Sequence, residues 1–262
     1  MSNPAPKRIL SKANPLLVAL RKLARDGSNY RRSGQVWVEG EHLCAAARWR
    51  GVEVRQALVS ESAWSNPARR ELAAHASRIA LVPDALFADL STLESPADIG
   101  FVLDLPAAAA VDRGLDALLL DRVQDAGNVG SILRSAAALG VPQVLAIKGC
   151  AALWSPKVLR AGMGAHFGLR LIEGLDEGDV LALGMNLVAT SSHGGQPLHC
   201  AQLPTPITWT LGHEGQGVSP RLLAACVATV CIPQPGGEES LNVAAAAAIC
   251  LYESLRRASC AS

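Results

Sequence analysis

From Leu115 to its end the chain repeats one pattern: a short apolar run, a turn, then a stretch with helical spacing. The apolar runs lie at 117–121, 143–147, 186–190, 208–211 and 228–232. Strand, turn and helix in series predict a mostly parallel sheet with helices on both faces. Ligands in such sheets bind beyond the carboxyl ends of the strands. Three of these strand ends run into the least ordinary segments of the sequence, so the chemistry is predicted there.

The first hundred residues read as a smaller α/β unit. Residues 9–23 form an amphipathic helix pattern, with Leu16, Leu17, Leu20 and Leu23 on one face. Short strands are predicted at 35–38, 54–59 and 78–82, with helical stretches at 41–49 and 67–76. An Ala-rich connection at 105–111, containing Pro106, breaks the pattern and predicts two domains, 1–105 and 113–262. Net charge is only +1, but ten of the first fifty residues are basic: Lys7, Arg8, Lys12, Arg21, Lys22, Arg25, Arg31, Arg32, Arg48 and Arg50. Against them stand Asp26, Glu39 and Glu41, a local excess of +7 that fits either phosphate contacts or a solvated basic face. Aromatic residues make up 4%, which argues against an extended base-stacking surface and leaves one or two contacts from the five Trp.

Composition also narrows the classes. The longest apolar run, 243–252, is too short to span a bilayer, and Met1 to Ser11 carry no apolar signal region, so a soluble cytoplasmic protein is expected. Seven cysteines with no C-x-x-C pair predict reduced, mostly buried thiols rather than zinc or a disulfide framework.

The first unusual segment runs from Asp121 to Arg134. Asn128 is expected to cap a helix that Gly140 closes, putting Arg134 about a turn and a half inside. Gly130 and Ala138, its neighbours four residues away, offer no charge, so an external anion or a distant carboxylate is its natural partner. The plain alternative is a cap and a surface cation. The second segment, Leu211 to Ser219, has Gly212 and Gly217 in P-loop spacing but Val218 where the lysine belongs, and it lacks the dinucleotide fingerprint. Its glycines permit close backbone approach to a ligand, with Glu214 as the one anion, while His213 is a polar contact before it is a base. Ser219-Pro220 reads as an N-cap followed by Pro at the first helical position. The third segment, Ile232 to Asn242, holds two prolines and two glycines in its first half. It brings Ser240, the expected cap, and Asn242 to the start of an Ala-rich helix over 243–255. Such a small-residue helix fits a subunit contact or a tight core.

Together these segments resemble the motifs of the SpoU-type RNA 2′-O-ribose methyltransferases, a branch of the trefoil-knotted SPOUT superfamily. Asn128-x-Gly130-x-x-x-Arg134 looks like the first motif and Gly212-x-Glu214-Gly215-x-Gly217 the second. Ile232-Pro233-x-x-Gly236-x-x-Glu239-Ser240-Leu241-Asn242-Val243 is similar to the third, and residues 157–165 to a further family segment. Residues 9–15, Arg31-Arg32 and Val38 to Gly40 look like the family's small ribosomal-protein-like RNA-binding domain. Ala126, His213, Gln234 and Ala244 depart from the common pattern, which bears on subfamily and substrate rather than on the reaction.

The resemblance implies a knotted, dimerising C-terminal domain that binds S-adenosylmethionine and needs no metal. It assigns activation of the ribose hydroxyl to Arg134, with Asn128, Glu214, Ser240 and Asn242 orienting it, and cofactor contacts to Thr190, Gly212, Ile232 and Leu241. RNA contacts fall to Arg21, Lys22, Arg31 and Arg32, with ribosomal RNA favoured over transfer RNA. Competing readings are a tRNA methyltransferase, an RNA-binding protein of the same fold without catalysis, and a nicotinamide-dependent oxidoreductase.

Overall fold

The computed structural model describes residues 5–192, 194–236 and 240–260. The strands are β1 (Lys7–Arg8), β2 (Gln35–Glu39), β3 (Gln56–Ser60), β4 (Ile79–Val82), β5 (Ile99–Asp104) and β6 (Ala117–Leu120). They continue with β7 (Gln143–Ile147), β8 (Arg170–Leu175), β9 (Leu187–Thr190), β10 (Gln196–Pro197), β11 (Thr208–Leu211) and β12 (Ala228–Cys231). The α-helices are α1 (Pro15–Arg25), α2 (Asn29–Ser33), α3 (Glu41–Trp49), α4 (Pro67–Ala73) and α5 (Asp84–Leu90). After them come α6 (Ala126–Ala138), α7 (Pro156–Gly162), α8 (Glu177–Ala182), α9 (Pro220–Ala225) and α10 (Val243–Cys260). The chain divides into two compact units. Met1–Ala107 and Trp154–Phe167 make the first, and Ala108–Leu153 and Gly168–Ser262 the second.

In the first unit a five-stranded mixed sheet has the order β1-β4-β3-β5-β2, with β5 antiparallel to both neighbours. Helix α1 starts at Pro15 rather than at residue 9. Asn14 accepts a hydrogen bond from the Leu16 amide, and Pro15 needs no amide partner, so the two fix the start. The stretch before it is not helical: Lys7 and Arg8 pair with β4 instead. Leu17, Leu20 and Leu23 then face the core, as their spacing requires. The segment carrying α7, which lies between β7 and β8 in sequence, belongs to this first unit. There Ser155 caps the helix, and a side chain on Gly164 would collide with the Ala46 methyl of α3.

The second unit is a seven-stranded, wholly parallel sheet in the order β10-β12-β9-β11-β6-β7-β8. Central strands β6, β7 and β11 are buried along their whole length, which explains their unbroken apolar runs. Chain order reverses across β6, which has β7 on one side and β11 on the other, so β6 is the topological switch point. The segments leaving β6, β11 and β12 carry the sequence motifs at the carboxyl ends of the strands, where such sheets bind ligands. Among the described residues no helix is long and apolar enough to cross a membrane.

Candidate active site

The helix carrying the first motif begins three residues earlier than the sequence suggests. Asp125, not Asn128, is its N-cap, accepting the Asn128 amide at 2.7 Å. Asp125 outcompetes Asn128 because its carboxylate reaches an unpaired amide at the helix's positive end. Two consequences follow. The Asn128 side chain is released for other contacts, and Arg134 becomes the ninth of thirteen helical residues, too deep to feel the N-terminal dipole. Arg134 is exposed and makes no hydrogen bond or ion pair with any described residue, so its charge is available to an external anion.

Asn128 spends its side chain on the other two motifs. Its Nδ2 donates to Glu214 Oε1 at 3.2 Å, and its Oδ1 accepts from Asn242 Nδ2 at 2.9 Å. Asn242 in turn caps α10, its Oδ1 accepting the amides of Ala244 at 2.9 Å and Ala245 at 3.3 Å. The expected cap, Ser240, lies too early for a helix that starts at Val243, and it stays exposed. The orientation of each amide is forced by its neighbour. The helix amides need an acceptor, so Asn242 must present Nδ2 to Asn128, which must then present Nδ2 to a carboxylate that only accepts. Glu214 also accepts the backbone amides of Gln124 and Asp125, at 3.3 and 3.2 Å. Partial burial pushes its carboxyl up, but the hydrogen bonds from backbone amides and Asn128 outweigh this and hold it below the ordinary glutamate range. Glu214 is therefore ionised at neutral pH.

These groups border a cavity of about 670 Å³ in the second unit. Thr190, Gly212, Ile232 and Leu241 all line it, as do Glu214, Ser240 and Asn242. Asn128 and Arg134 are not among its lining residues. The loop after β11 folds back on itself through paired backbone bonds between His213 and Gly217, at 3.0 and 2.8 Å. His213 Nδ1 accepts the amides of Gly215 and Gln216 at 3.0 and 3.2 Å, so this ring shapes the loop rather than standing free as a base. Gly212 is required by close approach. A Cβ there would lie 2.1 Å from the Gly217 carbonyl carbon and the Val218 nitrogen. Ser219 caps α9 as the sequence suggests, its Oγ accepting the Leu222 amide at 3.4 Å. Glu239 of the third motif lies outside the described residues.

Sequence reasoning missed two residues at this site. Arg122 bonds both the buried Asp121 and Gln216 of the glycine loop, and Gln234 lines the cavity with Oε1 buried and without a partner among the described residues. No spacing rule signals either; Gln234 stood out only as a departure from the family pattern. Among the described residues no group of three or more His, Cys, Asp or Glu could hold a metal ion. All seven cysteines are free, though Cys200 and Cys260 are exposed rather than buried. Burial pushes the Cys150 and Cys226 thiols up to about 11 and Cys250 to about 12, which removes them as nucleophiles at neutral pH.

Of the four predicted RNA contacts, three are engaged within the first unit. Arg21 bonds Asp89 at 2.9 Å and the Lys12 carbonyl at 2.8 Å, and Arg32 bonds Asp26 at 2.6 Å. Arg31 lies over the Tyr30 ring at 5.3 Å. Lys22 is exposed and has no partner among the described residues.

Comparison with known proteins agrees with this geometry. Residues 117–252 match the model of the SpoU rRNA Methylase family. The chain is 30% identical to the 23S rRNA (uridine(2479)-2′-O)-methyltransferase of Streptomyces viridochromogenes, over 97% of this chain and 93% of that one. It is 31% identical to the 23S rRNA (guanosine(2553)-2′-O)-methyltransferase RlmP of Bacillus subtilis, over 82% and 86% of the two chains. The structure of the SpoU methyltransferase AviRb from Streptomyces viridochromogenes, in complex with its cofactor AdoMet, superposes with a TM-score of 0.84 at 28% identity. That match covers 94% of this chain and 98% of that one. Motifs joined by hydrogen bonds beside one cavity, a parallel sheet with a topological switch point, and these matches along nearly the whole chain make this protein a member of the SpoU rRNA methylase family.

Proposed function

We propose that this protein transfers the methyl group of S-adenosylmethionine to a ribose 2′-hydroxyl of ribosomal RNA, in the cytoplasm. The observation that carries the reading is the Asn242–Asn128–Glu214 array, which joins all three motifs beside a glycine-walled cavity in a chain related to 23S rRNA 2′-O-methyltransferases. The residues present fit the cofactor. The cavity volume is in the range of about 300–1,000 Å³ usual for small-molecule sites. Gly212 leaves a backbone wall that a side chain would fill, and Gln234 Oε1 is a buried acceptor with no donor among the described residues, suited to an amine or hydroxyl of the kind adenosine carries. Backbone groups near Thr190, Gly212, Ile232 and Leu241 would hold the adenosine.

Bound S-adenosylmethionine supplies an electrophilic methyl on a sulfonium. The protein's task is to hold the ribose hydroxyl in line with it and to favour loss of the hydroxyl proton. Arg134 serves poorly as a base, because a guanidinium is a permanent cation in proteins and an adjacent phosphate favours its charge. Its assigned work is therefore electrostatic: stabilising the developing alkoxide and fixing a phosphate. Asn128, Glu214, Ser240 and Asn242 orient the ribose. Digesting RNA treated with protein and cofactor to nucleosides tests this by mass spectrometry. A ribose-methylated nucleoside is expected, and base-methylated nucleosides as the sole product would overturn the reading. Recovery of the native protein in a membrane fraction would count against the cytoplasm.

RNA affinity is assigned to the first unit, the sequence's residues 1–105. Its support is the basic excess and one feature the sequence left unresolved, namely which Trp is open. Trp37, Trp154 and Trp209 are buried and Trp64 half-buried, whereas Trp49 is 78% exposed, with the Arg50 guanidinium over its ring at 4.7 Å. An indole with a stacked cation suits an unpaired base next to a phosphate. Trp49→Ala is expected to weaken RNA binding about tenfold, the scale of one lost base–aromatic stack. Unchanged affinity at matched salt would count against it. Substitution is a cleaner test than cutting at residue 105, which would strand Trp154–Phe167.

A homodimer and the trefoil threading belong to the same proposal. Val227, Ile249, Tyr252 and Leu255 leave apolar surface open on the second unit, three of them at intervals of three along α10. Light scattering at micromolar concentration should give twice 27.3 kDa, and 27.3 kDa alone would count against the dimer. An experimental chain trace that pulls straight from its ends would remove the knot.

A further inference from the structure

We infer that Arg122 is a positioning residue for the cofactor loop, clamping the glycine turn after β11 to the end of β6 through Gln216. Three observations meet at this side chain. First, its guanidinium bonds both oxygens of Asp121, Nε to Oδ1 at 2.7 Å and Nη2 to Oδ2 at 3.2 Å, and Asp121 is fully buried. Without Arg122 that carboxylate would be a buried charge with no counter-ion. Second, Asp121 Oδ2 also accepts the Ser219 amide at 2.6 Å, which fixes the far end of the loop where α9 begins. Third, Arg122 Nη1 donates to Gln216 Oε1 at 3.0 Å, which fixes the middle of the loop.

The backbone has been shaped for this contact. Arg122 has φ +58°, a left-handed conformation costly for a residue with a Cβ. A Cβ on Gly149 would lie 3.2 Å from Arg122 Cγ, so the absent side chain leaves room for the arginine stem. An off-pattern backbone held by surrounding contacts is a mark of a functional position. Besides the Ser219 bond to Asp121, the loop is tied to the segment after β6 at two further points, by Glu214 to Asn128 and the amides of Gln124 and Asp125, and by Gln216 to Arg122. Both ties act on residues that wall the cavity, so the clamp sets the shape of the cofactor site before the cofactor arrives. Arg122 does not line the cavity and acts through Gln216.

This rests on the cavity being the S-adenosylmethionine site. The test is therefore read in two ways: by titration calorimetry with S-adenosylmethionine, and by amide exchange of residues 212–218 with no ligand present. Arg122→Ala also strips Asp121 of its cation and can lower folding stability, so Gln216→Leu is the discriminating variant, because it leaves the Asp121–Arg122 pair intact. Gln216→Leu should raise the Kd about tenfold, the scale of one charge-assisted hydrogen bond. It should speed exchange across the loop and leave Tm unchanged. Gln216→Glu, which keeps an acceptor for Arg122, should restore slow exchange. In the double variant the loss should be no greater than in Arg122→Ala alone, since the two residues act as one unit. Additive losses would mean that Gln216 touches the cofactor independently and would overturn the clamp. So would native exchange and affinity in Gln216→Leu. Failure of the native protein to bind S-adenosylmethionine would overturn the proposed function, while the ligand-free exchange comparison judges the clamp by itself.

Discussion

Arg134→Ala is expected to bind S-adenosylmethionine nearly as tightly as the native protein and to transfer methyl, in a single turnover, about a hundredfold or more slowly. The separation follows from where the residue sits. Arg134 does not line the cavity proposed to hold the cofactor, so on that reading its loss removes no cofactor contact, and it has no partner among the described residues, so its loss strands no buried group. As an exposed position in the interior of α6 it tolerates alanine, the best helix former, without loss of stability. What remains is the charge that the proposed function places at the reacting ribose. Removing one group that stabilises transition-state charge commonly costs a factor of about 10² to 10³. Arg134→Lys keeps the charge and loses the planar fork, so substantial recovery would assign the effect to charge and little recovery to geometry. A near-normal rate for Arg134→Ala under saturating RNA and cofactor would remove the residue from catalysis.

The parts of this fold legible in the sequence were those whose local pattern and tertiary role coincide. Strands β7 and β11 are buried on both faces, so their composition alone marks them, and they lie at 143–147 and 208–211 as read. Strand β8 was missed because it is the edge of the sheet, and apart from the buried Ile172 its residues, Arg170 and Glu173 among them, are exposed or half-buried. Strand β5 was missed because Gly100 interrupts its apolar run, and the reason for that glycine is tertiary: the Trp37 ring lies 2.2 Å from where a Cβ would stand. Helix starts failed where two capping residues compete. Asp125 and Asn242 cap where Asn128 and Ser240 were expected, because the choice depends on which side chain is free to turn back onto the amides. At the site, the motif residues were legible by resemblance, but their division of labour was not. That Asn242 both caps α10 and orients Asn128 is a fact of three segments meeting in space. The grouping of Trp154–Phe167 with the first unit is likewise invisible to a linear boundary at 105.

Gly212→Ala is expected to abolish measurable S-adenosylmethionine binding, and with it methyl transfer, while leaving most of the fold intact. The added methyl would meet backbone rather than a movable side chain: the Gly217 carbonyl carbon and the Val218 nitrogen at 2.1 Å and the Gly217 oxygen at 2.5 Å. Strand β11 is fully buried and paired on both sides, so it cannot retreat; the loop must give way instead. Opening the loop breaks the paired backbone bonds between His213 and Gly217, and with them the wall of the cavity and the seat of Glu214. Overpacking of this kind costs about 1–3 kcal/mol, a fraction of the roughly 5–15 kcal/mol that holds a typical domain together. The variant should therefore still melt cooperatively, with a modest fall in Tm, and give no heat on titration with S-adenosylmethionine. Because Glu214 would lose its register with Asn128, cofactor binding should not return at high concentration with normal turnover. Native affinity in Gly212→Ala would show that the loop accommodates a Cβ without moving, and the cofactor site would then have to lie elsewhere in the second unit.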